Sequence, residues 1–223
     1  MADLSALVTS AAMPSDSSEE LRIVHALRLK GFADTDVVAE SAAASVETTK
    51  STLDGLATSE LVKYREGRMT GWMLSKDGRA HGEALLAAEL DANGIRDEVD
   101  GCYRRFLGLN QDFLALCTDW QVREIDGEQV PNDHNDAEYD ASVIARLGEA
   151  NAGVQPICAD LAGHLTRFGR YGELFGNSLA KVEAGEQEWF TKPVIESYHT
   201  VWFELHEDLL ATLGIERQSE GAH

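Results

Sequence analysis

Cysteine is scarce in this chain. Cys102, Cys117 and Cys158 are the whole set, dispersed and odd in number, with no CxxC pair. That argues against a disulfide framework and suits a reducing interior. No apolar run approaches ~18 residues, the length that reads as a membrane span. Met1 to Ser18 holds no basic region followed by an apolar run, so a signal peptide is not expected and a cytoplasmic location is. The chain also has no Gly-rich phosphate loop, no nucleophile elbow and no supported Cys/His pair. Proline is rare, with four in 223 residues, which leaves long stretches free to be helical.

Positive charge is the other shortage: 19 Lys and Arg face 39 Asp and Glu, a formal net charge of -20. The deficit is uneven. Residues 1–90 hold nine Lys/Arg against fourteen Asp/Glu, and residues 91–223 hold ten against twenty-five. Most of the repulsion towards a polyanion therefore lies in the second half. Ala, Leu and Glu are abundant, so a mainly α protein is expected.

From Leu21 to Leu74 the pattern reads helix, helix, tight turn, helix, then a two-stranded wing. Ser17 or Ser18 can cap the first helix, with Glu19 and Glu20 in its first turn and Gly31 at its end. Asp34 can cap a second, with Val37, Val38 and Ala42 expected to face in. Ser45 can cap a third, whose inward stripe is Val46, Thr49, Leu53 and Leu56. Leu61 to Tyr64 and Gly71 to Leu74 read as strands around a Glu66-Gly67-Arg68 turn. Ser75 caps an Ala/Leu-rich helix that stops at Asn93-Gly94, the expected domain hinge.

The order of these elements, with Gly71-Trp-Met-Leu-Ser-Lys-Asp-Gly-Arg79 at the end of the wing, resembles the winged helix-turn-helix domain of MarR/PadR-type transcriptional regulators. Leu74-Ser75-Lys76-Asp77-Gly78 matches the Leu-Thr/Ser-x-x-Gly segment that commonly closes the second wing strand in that family. The resemblance covers roughly residues 18–90. The placement of the extra helices after the winged domain looks more like the PadR-type plan. It implies a homodimer that binds double-stranded DNA and senses a small-molecule effector. No cofactor and no metal are expected, since the chain has no HExxH, no His-x-His and no metal-loop spacing.

The expected architecture is a flexible tail at 1–17, a winged domain at 18–92, a helical dimerisation and effector domain at 93–215, and a tail at 216–223. In the second half, Ile95 to Leu107 and Phe113 to Trp120 carry helical stripes, with a turn expected at Gly108. Ile125 to Asp136 is polar, aperiodic and broken by Gly127 and Pro131, so a loop is expected. Val143 to Phe168 holds one sustained stripe through Pro156, and Pro193 is expected to open the last helix.

Three kinds of chemistry are open. For DNA, the candidate contacts are Thr48, Thr49, Lys50 and Ser51 on the third helix and Lys63, Arg65, Arg68, Lys76 and Arg79 on the wing and its flank. Residues 46–60 hold one Lys against three acids, so affinity must come mainly from the wing. For an effector, Trp120, Arg123, Tyr198, His199, Trp202 and His206 are the candidate pocket residues. The commoner reading of such aromatics at helical spacing is core. A third possibility is a metal-dependent enzyme, with His134, Asp133 and Asp136 of the polar loop folding over His199, Glu204, His206 and Asp208. Interior histidines and loop or cap carboxylates account for the same residues more simply. A winged module that binds another protein is the alternative to DNA, and the acidic surface suits it.

Overall fold

The computed structural model describes residues 13–125 and 127–216, and these are mainly helical. The chain begins with α1 (Glu19–Lys30), α2 (Thr35–Ser41) and α3 (Val46–Thr58). Each starts on the side chain expected of it. Ser18 accepts from the Leu21 N–H, Asp34 from Val37 and Ser45 from Thr48. Strands β1 (Val62–Arg65) and β2 (Gly71–Leu74) pair antiparallel, Val62 opposite Leu74 and Arg65 opposite Gly71. Trp72 also exchanges two backbone hydrogen bonds with Ala33, at 2.7 and 3.2 Å, which fastens the hairpin to the α1–α2 connection.

The Leu74-to-Gly78 segment has a clear physical logic. Ser75 caps α4 (Lys76–Asn93), while its own N–H donates to the Leu61 carbonyl at 2.9 Å. A Cβ on Gly78 would sit 1.8 Å from that same carbonyl oxygen. Only glycine lets the first turn of α4 lie against the start of β1.

The second half contains α5 (Arg96–Gln121), β3 (Val122–Ile125), β4 (Glu128–Pro131), α6 (Ala137–His164), a 3-10 turn at Thr166–Gly169, α7 (Arg170–Glu183), α8 (Glu188–Thr191) and α9 (Tyr198–Leu213). Its core is one cluster running from Leu90 to Leu210, with Phe106, Phe113, Leu147, Leu161, Phe175 and Tyr198 inside it. The first half has its own core around Ile23, Leu27, Val38, Leu53, Val62 and Trp72. Leu21, Leu86 and Ala211 form a small third cluster where α1, α4 and α9 meet. Among the described residues, no helix is long and apolar enough to cross a membrane.

Several expectations are corrected. Gly108 makes no turn, because α5 runs unbroken for 26 residues with buried side chains on both sides of it. The polar stretch after Glu124 begins as an antiparallel hairpin, β3 with β4. Gly127, just before β4, takes φ 84°, a conformation that glycine adopts without steric cost. The stripe from Val143 divides: α6 continues through Pro156 to His164, and Phe168 belongs to the 3-10 turn. Ser197, not Pro193, caps the last helix. Val37 and Val46 are solvent-exposed, and Val38, Ala39, Thr49, Leu53 and Leu56 carry the inward faces. The tail expectation falls largely on residues 1–12, outside the described ones. Ser15, however, is tied down by backbone bonds to His164 and Thr166.

Candidate nucleic-acid interface

Helix α3 and the β1–β2 hairpin carry the sequence-nominated DNA contacts. Lys50 and Ser51 are exposed, and Thr48 is partly so. Lys50 is committed to Asp54, one helical turn on, at 2.6 Å. Thr48 accepts from Ser45 Oγ at 2.9 Å within the cap. Thr49 is a correction: it has no exposed surface, faces the core, and its hydroxyl has no partner there. The α3 stripe that buries Leu53 and Leu56 necessarily buries Thr49 as well.

The hairpin and its flank differ. Lys63, Arg65, Arg68, Lys76 and Arg79 are all exposed. Among the described residues, eleven Lys and Arg side chains lie within ion-pair distance of a carboxylate. These five do not. The other two that lack such a partner are Lys181, whose ammonium lies 3.3 Å from the centre of the Trp189 ring, and Arg22, which bonds two backbone carbonyls. In a chain with twice as many acids as bases, a cluster of five free cations is a local exception. Lys63 and Arg65 alternate along β1 with Val62 and Tyr64, so they share one face of the hairpin. Tyr64 packs on Trp72 with ring centroids 4.8 Å apart, and Trp72 donates from Nε1 to Thr35 at 3.1 Å. The hairpin is thus a supported arm, and Arg68 and Met69 lie exposed in its turn.

The nominated effector residues fall into two groups. Trp120 stacks on Phe190 at 4.6 Å, and Arg123 pairs with Asp136 at 2.7 Å while lying over the Tyr139 ring. Tyr198 and Trp202 pack with Phe113 and Phe175, and Trp202 donates to Asn110 at 2.9 Å. His206 lies against Phe106. Half-buried His199 has its pKa lowered by burial. These rings contact one another and their neighbours, which is the arrangement of a packed core.

The carboxylate–histidine grouping is not assembled. His134 meets Asp140 at 3.0 Å and Asn132 at 3.2 Å under Trp120, while Glu204 pairs with Lys30 and Arg170. Asp133 bonds Asn135, and Asp136 caps α6. The Tyr139 N–H and then Arg123 hold the Asp136 carboxyl below its ordinary range. Among the described residues, no three His, Cys, Asp or Glu side chains are placed to hold a metal ion.

Sequence reasoning missed a buried polar cluster between the two halves. Asp208 of α9 is 3% exposed and gathers four donors. His25 Nε2 of α1 lies 2.8 Å from Oδ1, Arg167 Nη1 2.6 Å and the Thr212 hydroxyl 3.1 Å, while Tyr171 donates to Oδ2 at 2.9 Å. Arg167 also bonds Glu89 of α4 at 3.1 Å and Thr212 at 2.7 Å. Burial pushes the Asp208 carboxyl up, but the charges of His25 and Arg167 overcome it and hold the group well below the usual range. Burial and the Asp208 charge push the Tyr171 hydroxyl well up, so it stays a donor. The signal was present: His25 interrupts an apolar run, and Asp208 lies three residues beyond Leu205 on the buried stripe of α9.

No family model, no curated protein and no solved structure matches this chain.

Proposed function

We propose that the N-terminal unit is a winged helix-turn-helix domain that binds double-stranded DNA, and that the protein is a homodimeric transcriptional regulator. Helix α3 enters the major groove through Thr48, Lys50 and Ser51, and the hairpin lays Lys63, Arg65 and Arg68 along the phosphate backbone. Lys76 and Arg79 at the start of α4 extend the same contact. The observation that carries this reading is the cluster of five exposed cations without carboxylate partners, in a chain where most described cations are paired. Phosphate contacts supply the affinity, and α3, with its own Lys50 neutralised by Asp54, supplies the register. The C-terminal helices dimerise and set the spacing of the two reading helices.

The test is a fluorescence-anisotropy titration with duplex DNA from the gene's own upstream region and with an unrelated duplex. Tight binding to the upstream duplex that weakens steeply with salt supports the proposal. Equal, weak binding to both sequences refutes a regulatory role.

A second reading is a protein-interaction module. The exposed Val37 of α2 and Val46 at the first turn of α3 favour it, since Val46 sits where a reading helix would normally show polar groups. Loss of a partner on Val46→Asp with unchanged DNA affinity would select that reading.

A further inference from the structure

The first turn of α3 is both exposed and firmly held. Ala43, in the turn before it, takes φ 48°, a left-handed conformation that is costly for a residue with a side chain. Two cations brace that turn. Arg22 Nη1 donates to the Ala42 and Ala43 carbonyls, both at 2.9 Å, and Arg170 donates to the Ser41 hydroxyl at 2.8 Å. Ser45 then caps α3 by accepting from the Thr48 N–H. Bracing of this kind fixes the direction of the side chains that follow.

Two of those side chains have no use inside the fold. Val46 is 50% exposed, while Thr49, Leu53 and Leu56 carry the buried stripe. Glu47 is exposed and pairs with no cation among the described residues, whereas Asp54 of the same helix holds Lys50 at 2.6 Å. Thr48 is drawn into the cap by Ser45. Val46, Glu47 and Ser51 are therefore the uncommitted groups at the start of α3. A free carboxylate there repels phosphate, so it fits a DNA surface only where a donor on a base offsets the repulsion. The major groove offers a counterpart to each group. Thymine carries a 5-methyl and cytosine an N4 amino donor, and the N-terminal residues of a reading helix are the ones that reach base edges.

We propose that Val46 and Glu47 set the sequence specificity of this interface, Val46 by packing on the 5-methyl of a thymine and Glu47 by accepting from the N4 amino of a nearby cytosine. The inference rests on the DNA reading above and narrows it to a site whose pyrimidines face the start of α3. It also gives the exposed valine a partner within that reading.

The test begins with the full chain and a pool of randomised duplexes, from which the bound sequences are selected. The enriched duplex is then remade with deoxyuridine in place of each thymine in turn, which removes the methyl and leaves the base pairing intact. At one thymine in each half-site the unaltered chain should lose about fourfold in affinity, the value of one buried methyl group. Val46→Ala should show no loss there. Exchange of the contacted C·G pair for T·A should weaken the unaltered chain about tenfold, because the carboxylate then faces an acceptor, and should weaken Glu47→Gln much less. Both substitutions lie on the exposed face of α3, so both variants should melt like the unaltered chain. Tolerance of deoxyuridine at every thymine overturns the proposal while leaving DNA binding intact. So does an equal deoxyuridine loss in Val46→Ala, or unchanged C·G preference in Glu47→Gln. Failure to enrich any sequence refutes the DNA reading itself, and the proposal falls with it.

Discussion

At the scale of single residues, the two buried oddities give opposite expectations. Thr49 buries a hydroxyl without a partner. Thr49→Val keeps the shape and removes that unsatisfied group, so it should stabilise the fold by roughly 1 kcal/mol. Urea unfolding measures it, and DNA affinity should not change, because Thr49 faces the core. Asp208 is the reverse case, a buried carboxylate whose donors all depend on it. Asp208→Ala strands Arg167 and His25 and should cost about 3–5 kcal/mol. The pH dependence has a definite sign. The folded carboxyl titrates below its unfolded value, so its stabilisation is complete above the ordinary carboxylate range and drains away as pH falls through that range towards the folded value. The gap in unfolding free energy between the unaltered chain and Asp208→Asn should therefore be widest near neutrality and shrink below about pH 4.

At the scale of elements, what could be read in advance depended on how local the determinant was. The three helix starts were legible because Ser18, Asp34 and Ser45 act within one turn of themselves. The β1–β2 hairpin was legible from its turn residues and alternation. The β3–β4 hairpin was not: its strands are as short as those of β1–β2 but polar and mostly exposed, so Gly127 and Pro131 read as loop punctuation. Gly108 misled for a related reason: a glycine in a long helix costs ~1 kcal/mol, which the buried stripe of α5 easily overrides. Of the Asp208 cluster, His25 and Asp208 each stood out singly on an apolar stripe, but their assembly was illegible because its members come from α1, α4, α7, α9 and the 3-10 turn, and no local rule joins residues so far apart. The hairpin carries its own prediction. Arg65→Ala and Arg68→Ala should each weaken DNA binding and flatten the slope of log affinity against log salt by about 1. Lys50→Ala should change that slope less, since Asp54 already neutralises Lys50. Similar slopes for all three variants would contradict the hairpin-led reading.

At the scale of the whole molecule, the question is whether the two halves behave as one. Their cores are separate clusters, which alone would allow independent unfolding. Three features oppose that. Leu90 of α4 is counted in the second-half core, Leu21, Leu86 and Ala211 form a shared cluster, and Arg167 binds Glu89 and Asp208 at the junction. A charged group so placed cannot leave its partners without exposing all of them, so it penalises partial opening more than complete unfolding. Hydrogen exchange in the α1 interior, Ile23 to Leu27, and in the α6 interior, Val154 to Leu161, should then report the same free energy of opening. Arg167→Met removes the ionic tie while keeping apolar bulk, and it leaves Glu89 and Asp208 short of a cation. The first half has the smaller core, so its opening free energy should drop below that of α6 by about 2 kcal/mol or more. If the two regions still open together in Arg167→Met, the apolar contacts of α4 are enough to join the halves. The buried charges would then add nothing to the coupling of the halves.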